Sequence, residues 1–80
     1  MSEAIKIVQE LDLKDLLCPI PVVKISNAIK EVATGDVIEA TATDPGVMMD
    51  IPAWCNSTGN ELMKMDEEDG VFIFRVKKLN

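Results

Sequence analysis

Leu16-Leu17-Cys18-Pro19-Ile20-Pro21-Val22-Val23 sets a cysteine between an apolar dipeptide and two prolines spaced one residue apart. Prolines this dense mark a turn or the first turn of a helix, because the ring fixes φ and the missing N–H is lost without cost only there. The residues that follow decide between the two. From Pro19 to Thr34 the apolar positions Val22, Ile25, Ile29 and Val32 recur at helical spacing, with Lys24, Asn27, Lys30, Glu31 and Thr34 on the other side. The stretch therefore reads as the entrance to an amphipathic helix that Gly35 ends. A residue before proline is driven to extended geometry, so Cys18 is expected to be the cap residue, its thiol held at the helix N-terminus.

Upstream, Ile5 to Leu11 is β-branched and roughly alternating, a first strand. Downstream, Val37 to Thr43 reads as a second strand with Ile38, Ala40 and Ala42 facing one way. Strand, helix and strand joined by short links make a βαβ unit, which sets the two strands parallel if they share a sheet. Asp44-Pro45-Gly46 then turns the chain into a second helix bearing Val47, Met48, Ile51, Trp54 and Cys55, stopped by Gly59. A proline deep in a helix costs about 3 kcal/mol, so Pro52 predicts a start at Met49 or Asp50, with Asp50 as the cap. Glu61 to Asp66 and Val71 to Lys78 form a hairpin across the acidic turn Asp66-Glu67-Glu68-Asp69-Gly70, with Phe72, Phe74 and Val76 on its apolar face.

The order β-α-β-α-β-β, with one apolar stripe on each helix, predicts an α+β fold. Its expected architecture is a two-layer α/β sandwich, a four-stranded mixed sheet carrying two helices on one face. Residues 1–80 are read as one domain, with no linker or repeat.

Composition narrows the chemistry. Fourteen acidic against eight basic residues leave a formal charge of −6, which disfavours direct nucleic-acid binding, a local patch at Lys77 and Lys78 notwithstanding. No apolar run reaches the ~18 residues of a membrane span, and Met1-Ser2-Glu3-Ala4 has no secretory pattern, so a cytoplasmic location is expected. There is no histidine. A zinc site and a histidine-based triad are thereby excluded within one chain, and no cofactor or metal is called for. Chemistry must rest on a thiol, a carboxylate or a lysine.

Of the two thiols, Cys18 has the setting of a reactive group, with Pro19 and Pro21 shaping the site. A buried apolar role beside Leu16 and Leu17 is the competing reading. The magnitudes are modest. A thiol of pKa ~8.5 is about 3% ionised at pH 7, and a helix dipole worth ~0.3–1 kcal/mol moves that by less than about one unit. Cys55 reads as core packing. Lys24, one and a half turns past Cys18, is a solvated residue or an accessory group that steers an anionic partner. Met48, Met49, Met63 and Met65 are core or rim packing, or a methionine-rich binding surface.

Leu11-Asp12, Leu16-Leu17-Cys18-Pro19-Ile20-Pro21, Gly35-Asp36, Asp44-Pro45, Asp50-Ile51-Pro52 and Gly59-Asn60-Glu61-Leu62 together resemble the TusA/SirA-like family of sulfur-carrier proteins, over nearly the whole chain. The resemblance implies a two-layer sandwich whose Cys-Pro-x-Pro cysteine takes up sulfane sulfur as a persulfide and passes it to an acceptor protein. That role maps onto Cys18, and the helix-entry prolines map onto Pro19 and Pro21. Sulfur-donor and sulfur-acceptor proteins are the partners implied, and the oligomeric state is left open. Asp15 stands where the family commonly has glycine, which predicts a loop less free to take φ > 0. Asn60 stands where the family often has histidine. Two other readings stay open, a regulatory or adaptor module that carries no sulfur and a Cys18–Cys55 redox switch.

Overall fold

The fold was described from a computed structural model, which describes residues 7–17 and 19–79. Six elements follow one another: β1 (Ile7–Leu13), α1 (Ile20–Ile29), β2 (Val37–Ala42), α2 (Val47–Thr58), β3 (Glu61–Glu68) and β4 (Val71–Lys77). The strands form one mixed sheet in the order β1-β2-β4-β3. β1 and β2 are parallel, as the βαβ reading requires, and β4 runs antiparallel to both β2 and β3. β3 is consequently parallel to β2, so α1 and α2 both begin at the same end of the sheet, beyond the C-terminal ends of β1 and β2.

Side-chain alternation decides which face the helices cover. Ile38, Ala40 and Ala42 of β2 lie opposite Val76, Phe74 and Phe72 of β4, and all six are buried. Ile25, Ala28 and Ile29 from α1 and Val47, Ile51 and Cys55 from α2 close over them. α1 lies against β1 and β2, α2 against β3 and β4, and the helices touch one another. The opposite face is polar. There the Nε–H of Arg75 donates to Glu39 Oε2 at 2.9 Å between half-buried side chains. The smallest extent of the molecule, 18 Å, leaves room for one helical layer on one sheet.

Several boundaries differ from those the sequence predicts, each for a local reason. α1 ends at Ile29, not Thr34: the N–H groups of Lys30 and Glu31 bond back three residues, to Asn27 and Ala28. Val32 still packs against the core, from the turn and not from a helix. α2 starts at Val47, two or three residues earlier than expected, and Pro52 lies inside it. Its opening is a tight turn in which Val47, Met48 and Met49 each bond three residues back. Early entry places Val47 four residues before Ile51 and eight before Cys55, a stripe exposed by 0%, 0% and 3%. That burial outweighs the N–H that Pro52 cannot give to the Met48 carbonyl. Asp50 is an acid in the first turn and not the cap. Asp44 instead accepts the Gly46 N–H on Oδ1 at 3.2 Å.

β1 runs on to Leu13, two residues past the expected end, while the expected start at Ile5 lies outside the described residues. The acidic turn is shorter than expected. β3 continues through Glu67 and Glu68, leaving Asp69 (φ 51°) and Gly70 (φ 82°) as a two-residue hairpin loop. Two consecutive positive φ values make the strand-matched turn that Asp-Gly favours.

Candidate functional site

Cys18 lies outside the described residues, and the site is built from what flanks it. Leu16 donates its N–H to the Leu13 carbonyl at 3.3 Å, closing a turn through Lys14 and Asp15. Asp15 takes φ 69° there. The expectation of a loop restrained by aspartate at this position is corrected: a short polar side chain tolerates the left-handed region better than most. Its N–H also donates to Thr43 Oγ1 at 2.9 Å, tying the loop before α1 to the loop before α2. The two segments are 28 residues apart, and no local signal pairs them.

A second backbone bond, Ile20 N–H to the Leu17 carbonyl at 2.9 Å, brackets the helix entrance. Pro19 is the N-cap residue, with φ −94° and ψ 13°, and Pro21 occupies the first turn. The cap expected at Cys18 is thus one residue later. Pro21 is also fully buried, so it anchors the entrance to the core as well as shaping it. This start of a helix is poor in donors. Pro19 and Pro21 have none, and Ile20's is given to Leu17, which leaves at most the N–H of Val22 for any anion at the helix end.

Around this entrance the surface is apolar. Leu17 is 72% exposed and Met49 80%, and Ile20, Val23 and Met48 are also exposed. Leu17, Ile20 and Val23 flank Cys18 along the chain, and Met48 and Met49 open the neighbouring helix at the same end of the sheet. Of the described methionines, only Met65 belongs to the packing around the core. Met48 and Met49, exposed by 50% and 80%, do not pack in the core.

Lys24 is exposed and shares a groove with the edge of β1 and with Asn27 and Glu31. Lys78 is engaged: its Nζ donates to the Val32 carbonyl at 2.8 Å, and its backbone pairs with Gly35 and Asp36. Asn60 sits past the far end of α2, whose last residue Thr58 is about 17 Å along the helix axis from Val47. Its Nδ2 donates to Thr58 Oγ1 and its Oδ1 accepts the Leu79 N–H, each at 3.0 Å, clasping the C-terminal segment. That is a structural role at the end opposite the thiol loop.

Cys55 is 3% exposed inside the core, and burial pushes its thiol up to about 11. It lies two turns into α2, about 12 Å along the axis from the helix start. Among the described residues no group of His, Cys, Asp or Glu could hold a metal ion, and no helix is long and apolar enough to cross a membrane.

Residues 9–78 match the family described as sulfurtransferase TusA. The sulfur carrier protein TusA of Allochromatium vinosum is 43% identical over 70 residues, covering 88% of this chain and 92% of that protein. The sulfur carrier protein TusA of Pseudomonas putida is 37% identical over 68 residues, covering 85% of each. Among solved structures, the SirA-like protein of Desulfitobacterium hafniense superposes with a TM-score of 0.80 over 91% of this chain and all of that one. Its 20% identity makes this a likeness of fold.

Proposed function

We propose, from the premise that the chain belongs to the TusA sulfurtransferase family and is a sulfur carrier, that Cys18 is the atom-bearing residue of the relay. The Cys18 thiolate attacks the outer sulfur of a donor protein's persulfide. A new S–S bond forms at Cys18, the donor's S–S bond breaks, and the donor leaves as a thiolate. In the second half, an acceptor thiolate attacks the outer sulfur of the Cys18 persulfide and releases Cys18 as thiolate. Each step exchanges one S–S bond for another and needs no oxidant or reductant.

The observation that carries this reading is the apolar, donor-poor helix entrance between Leu17 and Ile20. A carrier must give its sulfur away. An entrance with two prolines and one committed N–H offers little to hold the outer sulfur, and the exposed Leu17, Ile20, Val23, Met48 and Met49 offer area for a protein to cover. Covering the rim removes water, and reactivity then comes from the donor–carrier or carrier–acceptor complex rather than from the free chain. Pro19 and Pro21 act as shaping residues. Lys24, which shares its groove with Glu10, Asp12 and Glu31, contributes charge to the side of a docking surface. The acidic surface and the thiol chemistry favour proteins over nucleic acid as direct partners, in a cytoplasmic setting where thiols stay reduced.

Incubation with a persulfide-bearing cysteine desulfurase followed by intact-mass spectrometry tests the proposal. The wild type gains one sulfur atom, removable by dithiothreitol and located on the Cys18 peptide, and Cys18→Ala gains none. An adduct that persists in Cys18→Ala, or none in the wild type, overturns it. Cys18→Ser separates the adaptor reading, which requires partner binding and cellular function to survive that change together.

A further inference from the structure

We infer that the free edge of β1 is a docking site for an extended segment of a partner protein in which basic and apolar residues alternate, added to the sheet as a fifth strand. The inference stands apart from the thiol and does not depend on sulfur transfer. Among the described residues β1 ends the sheet, paired only with β2, so its outer edge presents N–H and C=O groups with no described strand beyond them. From Gln9 to Leu13 its register with β2 is regular, the irregularity being confined to Ile7/Gln9.

A groove of about 450 Å³ runs beside this stretch, with all five residues Gln9–Leu13 on one wall and α1 on the other. Leu11 and Leu16, partly buried against the core, give it an apolar floor. Glu10, Asp12 and Glu31 are exposed along it, with Lys24 on the α1 side and Lys14 beyond the end of β1, its Nζ loosely paired with Asp12 Oδ1 at 4.0 Å, so that Glu10 is the carboxylate left for a partner's cation. Glu10 and Asp12 project to the helix-free face, since Glu39 and Thr41 oppose them on β2. The carboxylate of Glu39 is already bound by Arg75, and no ion pair engages Glu10 among the described residues.

These features specify the occupant. Backbone pairing requires an extended segment, and strand alternation sends its side chains in turn to the two faces. Those on the helix side meet Leu11 and Leu16 and should be apolar, whereas those on the open side meet Glu10 and Asp12 and should be Lys or Arg. A second copy pairing through its own β1 is disfavoured, because antiparallel pairing about this stretch brings Glu10 and Asp12 against the same two carboxylates.

The test uses the full chain, ¹⁵N-labelled, titrated with a capped peptide of about eight residues alternating Lys and Val. Amide shifts are expected at Gln9–Leu13 and along the facing side of α1, with slowed hydrogen exchange in β1. Glu10→Lys with Asp12→Lys should weaken binding at least about tenfold. A peptide of the same composition in block order, or one N-methylated at alternate backbone positions, should bind at least about tenfold more weakly, since only the alternating, unblocked form can pair as a strand. These last comparisons use the wild type and stand whether or not the double variant folds. Equal binding by the block or N-methylated peptide, shifts centred on Leu17, Met48 and Met49, or no shifts at millimolar peptide overturns the inference. Concentration-dependent β1 shifts without peptide would instead assign the edge to a second copy, and overturn it equally.

Discussion

Cys55 is where a single side chain couples burial to pH. Its thiol keeps its proton up to about pH 11 in the fold, against an ordinary value near 9, because the thiolate would sit in the core without water. Between those values the unfolded chain releases a proton that the folded chain retains, so stability is intact below pH 9 and falls as pH rises toward 11. The two-unit gap bounds the loss at about 3 kcal/mol, of which about 2 is expressed by pH 10.5. Urea unfolding at pH 7.5 and 10.5 should therefore show the wild type losing about 2 kcal/mol more than Cys55→Ala over that interval. An equal loss in both would place the alkaline sensitivity elsewhere. The same burial keeps Cys55 from thiol reagents in the folded chain and argues against its pairing with Cys18. Its packing role was legible in the sequence from its place on the apolar stripe, whereas the clasp made by Asn60 was not, because it depends on where Leu79 comes to lie.

At the level of elements, the loop between β1 and α1 is held in shape by two contributions that pull in different directions. Asp15 adopts φ 69° at a backbone cost that glycine would not incur, while its N–H gains the hydrogen bond to Thr43 Oγ1. Asp15→Gly keeps that N–H and removes the steric cost, though it frees the unfolded chain, so it should change stability by no more than about 1 kcal/mol in either direction. Thr43→Val removes the acceptor and should cost about 1 kcal/mol. Thermal unfolding of the two variants checks both, and a larger loss for Asp15→Gly than for Thr43→Val would mean that the aspartate side chain itself holds the loop. The elements that sequence reading placed well are those whose signal is local: the alternation of Phe72, Phe74 and Val76, the helical spacing of Val22, Ile25 and Ile29, and the Pro19/Pro21 entrance. It erred where a distant contact decides. The start of α2 at Val47 follows from a core stripe that outweighs the penalty read at Pro52, and the extra length of β3 through Glu68 follows from pairing with Val71 and Phe72. Near the candidate site, the helix entrance at Pro19 and Pro21 was legible, whereas the link between the two helix-entry loops was not.

Taken whole, the molecule keeps its stability and its candidate chemistry in different places. The core lies between the sheet and the two helices, centred on Phe74, Ile38, Ile25 and Ile51, each fully buried. The loop that enters α1 and the exposed Leu17 and Met49 lie at the rim where both helices begin. A domain of this size is stable by only about 4–12 kcal/mol, so a core truncation consumes a large share of the total, while a rim substitution exposes nothing new and should cost within about 0.5 kcal/mol. Phe74→Leu keeps most of the apolar volume and should lower stability by about 1–2 kcal/mol, leaving the rate of sulfur uptake from a donor protein unchanged at temperatures where the chain is folded. Leu17→Asp should do the reverse. A charge placed in an apolar contact must be desolvated on docking, at a cost that slows uptake by at least about tenfold, with the urea midpoint hardly moved. Measuring uptake by mass spectrometry and stability by urea titration on the same two variants gives the full comparison. If Leu17→Asp accepts sulfur at the wild-type rate, the donor does not cover the apolar rim, and approach to Cys18 must come from another side of the loop.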